Sequence, residues 1–73
     1  MSEEILHYLV SRLLKNAEEL ANESHECIGD AFYDGKKLAY YEMLSILQSE
    51  LAAQGENLVD FGLDIDLLQD LSL

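Results

Sequence analysis

The chain has 73 residues with 15 acidic and four basic side chains, and its formal net charge of −11 disfavours direct binding to nucleic acid. A domain this short has a marginal core unless a disulfide, a metal or another chain supports it. Cys27 is the only cysteine, so an internal disulfide is excluded. The lone thiol, the acidic N-terminus and the lack of a long apolar run predict a cytoplasmic protein that does not enter a membrane.

The first predicted element is a helix over about 3–28. Ser2 is a suitable N-cap, and the apolar side chains that follow share one half of a helical wheel. Cys27 continues this stripe without a break in phase, and we expect it to be a buried structural thiol. An alternative is that the helix ends near Asn22 and that Ser24 caps a separate turn.

The second predicted helix covers about 31–54, and a very short turn precedes it. Gly29 suits the left-handed conformation that ends a helix, and Asp30 suits the N-cap of the next one. Gly55 is the expected C-terminal stop. Such a short connection predicts two antiparallel helices that pack as a hairpin.

The apolar faces of the two predicted helices are both about half a circumference wide. A helix packed on one neighbour needs a stripe only a little over 100° wide, so two such helices leave apolar surface uncovered. We therefore expect an all-α hairpin that dimerises into a four-helix bundle. Gly35 and Ala39 form a small-residue pair that would let another helix approach closely. The residues predicted to form the interface are Leu6, Leu9, Leu13, Leu20, Phe32, Gly35, Ala39, Tyr40, Met43 and Ile46.

The segment 56–73 is predicted to be an acidic and hydrophobic C-terminal arm within a single domain, 1–73. Gly62 interrupts it, and Asp64 could cap a short helix that carries Leu71 on its apolar face. We expect a short third helix or arm lying on the hairpin of the same or another subunit. A brief extended piece and a disordered tail are the alternatives, although the leucine content argues against full disorder.

Sequence patterns predict no catalytic, cofactor or metal site. Ser24, His25 and Glu26 are adjacent, but their side chains would diverge on a helix, whereas a catalytic triad must converge. His7 and His25 would lie about 27 Å apart on one continuous helix, since each residue adds about 1.5 Å. An antiparallel dimer could still bring His7 of one chain beside His25 of the other, which leaves a metal-binding bundle as an alternative.

The run FYDGKKLAYYEMLSIL resembles a pattern in small uncharacterised helical proteins of Gram-positive bacteria and their mobile elements. The resemblance rests on an aromatic residue, a glycine and an Ala-Tyr-Tyr-Glu sequence at matching spacing, and it covers 32–51. It implies a helical hairpin and brings no activity with it.

These patterns favour a non-enzymatic protein that acts through self-association and protein–protein interaction, most simply as a homodimer. Two other functions stay open. One is an acidic inhibitor or charge mimic that occupies a basic site on another protein. The other is a metal- or ligand-binding helical bundle.

Overall fold

The computed structural model of the chain describes residues 2–24 and 29–73. In these residues the chain forms helix α1 (Glu3–Ser24), helix α2 (Ala31–Ala53), a 3₁₀ helix (Leu58–Phe61) and the short helix α3 (Leu67–Asp70). The described part is therefore all-helical, and its two long helices pack against each other as predicted.

Helix α1 begins where the N-cap prediction places it. The Ile5 N–H donates to Ser2 Oγ at 3.2 Å, and the Leu6 N–H donates to the Ser2 carbonyl at 3.0 Å. The cap satisfies donors that have no partner within the first turn. The predicted continuation of the helix over 25–28, including the place of Cys27, lies outside the described residues.

The turn into α2 and the end of α2 also follow the sequence. Gly29 has φ +85°, in the left-handed region that glycine adopts without strain. Asp30 is the N-cap of α2, and its Oδ1 accepts from the Phe32 N–H at 2.9 Å. At the other end Gln54 is the C-cap, and Gly55 has φ +79°.

The core lies between the two helices and the arm. At one end of the hairpin, Leu20 and Glu23 near the end of α1 line a groove with Lys36 and Tyr40 near the start of α2, as antiparallel packing requires. The residues of the central buried cluster come from α1, α2 and the arm: Val10, Ala17, Leu44, Leu51, Phe61, Leu63, Leu67 and Leu71.

The arm supplies half of this buried cluster and lies on the hairpin of its own chain. Leu63 is fully buried, and Phe61, Leu67 and Leu71 are each 5% exposed. The prediction that the segment covers the hairpin is confirmed in this respect, and the disordered alternative does not describe it. The alternative of a brief extended piece applies in part, since 63–66 lie between the two short helices and Asp66 has an extended backbone (φ −90°, ψ 110°). Gly62, the predicted break, has φ +72° and caps the 3₁₀ helix.

The predicted cap of the third helix was wrong by two residues. Asp66, not Asp64, is the N-cap of α3, and its Oδ1 accepts from the N–H groups of Leu68 and Gln69 at 3.0 and 3.3 Å. The Asp66 N–H in turn donates to Asp70 Oδ2 at 2.9 Å. The reciprocal pair stabilises a helix of only four residues, which hydrophobic periodicity could not locate.

Two polar residues of the long helices hold the arm in place. The Gln48 Nε2 donates to the carbonyls of Leu63 and Ile65, both at 3.0 Å. His7 stacks on Phe61 with ring centroids 3.9 Å apart and planes 5° from parallel. Both side chains are half-buried by the arm.

Candidate functional site: an uncovered face of helix α2

Most of the residues predicted to form an interface remain exposed after the hairpin and arm have packed. Phe32 is 66% exposed, Ile46 61%, Leu9 42% and Met43 41%. Among the smaller members of that set, Gly35 and Ala39 are also exposed. Leu6, Leu13 and Tyr40 are half-buried, and Leu20 is buried inside the hairpin. The structure therefore brings the exposed members together chiefly on α2.

The exposed members on α2 belong to a longer stripe that follows a heptad spacing. Alternating steps of four and three residues connect seven exposed positions, and such steps place side chains along one seam of a helix. We call this set the open stripe, and its members are Phe32, Lys36, Ala39, Met43, Ile46, Glu50 and Ala53. Helical periodicity identified the apolar members of this stripe from the sequence. Their regular heptad spacing was also present in the sequence, but it was not recognised there.

The arm lies on the other flank of the hairpin. It receives hydrogen bonds from Gln48, and it lines shallow grooves together with Tyr41 and Ser45 of α2 and with Ala21 of α1. Measured about the helix axis at 100° per residue, Gln48 and Tyr41 lie on one side of the buried Leu44, and the open stripe lies on the other. Nothing in the described part of the chain covers the open stripe.

The open stripe carries two opposite charges at its ends. Lys36 Nζ lies 5.8 Å from the centroid of the Phe32 ring, within the range of a cation–π contact. No carboxylate among the described residues lies within 4 Å of Lys36, and no cation among them lies within 4 Å of Glu50. The stripe is thus electrically balanced although the chain has a net charge of −11.

Gly35 borders the open stripe, and packing within the chain does not require a glycine there. A Cβ built on Gly35 would meet no heavy atom within 4 Å, and its φ is not positive. Glycine in a helix interior costs about 1 kcal/mol relative to alanine. The space beside Gly35 is open to an approaching helix, as the sequence had suggested.

A shallow groove between the helices continues the uncovered face towards α1. Asn16, Glu19, Leu20 and Glu23 line it from α1, and Lys36 and Tyr40 line it from α2. Leu9 and Leu13 precede Asn16 by steps of four and three residues, so the same flank of α1 extends along the hairpin. The uncovered surface therefore spans both helices, and its most exposed part is on α2.

The metal and catalytic sites considered from the sequence are not formed within the described part of the chain. Within 2–24 and 29–73, no three histidine, cysteine or acidic side chains gather closely enough to hold a metal ion. The Nε2 of His7 lies 3.9 Å from Glu3 Oε1, one turn earlier. His25, Glu26 and Cys27 lie outside the described residues, so the predictions about the adjacent serine, histidine and glutamate and about a paired-histidine metal site remain predictions.

In the described ranges, no helix combines the length and the apolar composition that a membrane span needs. No model of a known protein family matches the chain, and comparisons with curated proteins and with solved structures find no match.

Proposed function

We propose that the protein is a non-enzymatic assembly module that associates with a second copy of itself through the open stripe. The product would be a four-helix bundle in the cytoplasm, and its outer, acidic surface would be available to other proteins. The observation that carries this proposal is the exposure of Phe32, Met43 and Ile46 on one continuous face.

The energetic argument concerns large apolar side chains left in water. Full burial of a Phe, Met or Ile side chain is worth about 1.5–3 kcal/mol. A two-fold dimer buries each such residue twice, once in each copy. Dimerisation through the open stripe would therefore gain burial free energy that the isolated chain does not obtain, because its arm covers the opposite flank.

The shape of the single chain supports the same proposal. Its radius of gyration is 12.9 Å, and its principal extents are 38 × 19 × 16 Å. A compact chain of this length has a radius of gyration of about 11 Å. The molecule is thus an elongated hairpin with a thin core, and a second hairpin would provide the missing layer.

The test compares Ile46→Glu with Leu38→Glu by sedimentation velocity. Both residues lie on α2 and are similarly exposed, at 61% and 59%, and both variants gain one negative charge. Only Ile46 belongs to the open stripe, so Ile46→Glu should convert the dimer to monomer while Leu38→Glu should leave it intact. Equal behaviour of the two variants, with helicity retained, would contradict the proposed interface.

A further inference from the structure

We infer that the two copies pair through antiparallel α2 helices, with a two-fold axis near Met43 and with Lys36 of each copy beside Glu50 of the other. This inference rests on the proposed function and adds the orientation, the register and the residues that determine them. The occupant of the open stripe is thereby a second copy of this chain.

The positions of the charges carry the inference. Lys36 lies two heptad steps before Glu50, and Met43 lies midway between them. A two-fold axis perpendicular to the helix at Met43 therefore brings Lys36 of one copy to the level of Glu50 of the other. The pairing occurs twice in the dimer, because an isologous interface repeats every contact.

The parallel arrangement is disfavoured by the same charges. It would place Lys36 beside Lys36 and Glu50 beside Glu50 of the second copy, and charged residues of like sign in a helical seam repel each other. A polar or charged residue at a seam position is a known means of selecting register and orientation at some cost in stability. The two charged positions in an otherwise apolar stripe are consistent with that role.

Charge also favours a second copy over a basic partner. A protein with a strongly acidic chain would meet a basic partner through an acidic face, yet the open stripe holds one lysine and one glutamate. Two chains of net charge −11 repel each other in bulk, so their contact is least unfavourable where each surface is locally neutral. The open stripe provides such a surface.

A charge-reversal cycle tests the register by measuring the dimer dissociation constant of Lys36→Glu, Glu50→Lys and the double variant. Each single reversal creates two like-charge contacts and should weaken the dimer about tenfold, while the double variant should return to within about threefold of the wild type. Lys37→Glu and Glu56→Lys are the controls, since they change the net charge equally away from the stripe. Notably, Glu50→Lys lowers the net negative charge and should still weaken association.

Cysteine crosslinking provides a second readout that does not depend on electrostatics. In a Cys27→Ser background, Met43→Cys should form a disulfide between two copies under mild oxidation. Ala53→Cys should not, because the two Ala53 positions would be about 30 Å apart along an antiparallel pair. Crosslinking at both positions would indicate parallel helices.

The outcomes separate the two claims. Weakening by the single reversals with recovery in the double variant supports the antiparallel register. A wild-type dimer that is indifferent to the reversals, or that crosslinks through Ala53→Cys, overturns the register and leaves the assembly function standing. A wild-type protein that is monomeric at all concentrations overturns both claims, and the open stripe would then be a binding surface for a different protein.

Discussion

Gln48 links helix α2 to the arm through two hydrogen bonds, and Gln48→Glu tests how much they stabilise the fold. The Gln48 amide donates to the carbonyls of both Leu63 and Ile65 at 3.0 Å. A glutamate has nearly the same shape, but its carboxylate has no hydrogen to donate at neutral pH. Both carbonyls would lose their partner and would face a negative charge instead.

The expected cost follows from the hydrogen bonds that are lost. An unsatisfied buried group costs about 1–3 kcal/mol, and the half-buried position of Gln48 calls for the lower part of that range at each carbonyl. The variant should therefore lose about 2–3 kcal/mol of unfolding free energy. A chain of this length has a total of about 4–11 kcal/mol, so the loss is a large fraction.

Urea denaturation followed by circular dichroism measures this loss, with Gln69→Glu as the matched control. Gln69 is exposed on α3, and its variant undergoes the same change in charge and shape without breaking a side-chain hydrogen bond within the described residues. We expect the control to remain within about 0.5 kcal/mol of the wild type. If Gln48→Glu lost equally little unfolding free energy, the two Gln48 hydrogen bonds would not be what stabilises the arm.

Two further predictions concern the core and the glycines. Leu63→Ala should cost about 2–5 kcal/mol in urea denaturation, because Leu63 is fully buried, while Val59→Ala, at 62% exposure, should cost little. Gly35→Ala should raise the unfolding free energy of dilute protein by about 0.5–1 kcal/mol, since its Cβ meets open space. Gly62→Ala should lower it by about 1–2 kcal/mol, because φ there is +72°. A lower unfolding free energy for Gly35→Ala, or a higher one for Gly62→Ala, would contradict these expectations.

The helical hairpin could be predicted because its ends depend on local chemistry. Ser2 and Asp30 accept backbone N–H groups at the helix starts, and the glycines at 29 and 55 adopt the left-handed conformation. Capping involves residues close in sequence, so a pattern of a few letters contains the required information. The broad apolar faces likewise followed from helical periodicity.

The path of the arm could not be predicted in the same way. Its two helices have four residues each, too few for a hydrophobic period. Helical periodicity gives no role to Gln48, yet the backbone carbonyls of a non-helical segment need donors and its amide provides them. Stacking of His7 on Phe61 was missed for the same reason, because a residue at a polar border can be covered by a distant segment.

The sequence predicts that the hairpin has more apolar surface than it can cover. It does not predict on which flank of the hairpin this surface remains exposed. Both flanks of α2 carry large apolar residues, such as Tyr41 on one and Met43 on the other. Only the position of the arm determines which flank remains open. Leu20, one of the residues predicted to lie in the interface, is 2% exposed because the hairpin itself buries it.

We propose that a second copy of the chain covers the open stripe. The most direct measurement is the absolute mass of the purified protein by light scattering over a wide range of concentrations. We expect a mass of twice the 8.3 kDa chain, with dissociation only on dilution. A mass of one chain that persists at the highest concentrations would contradict it.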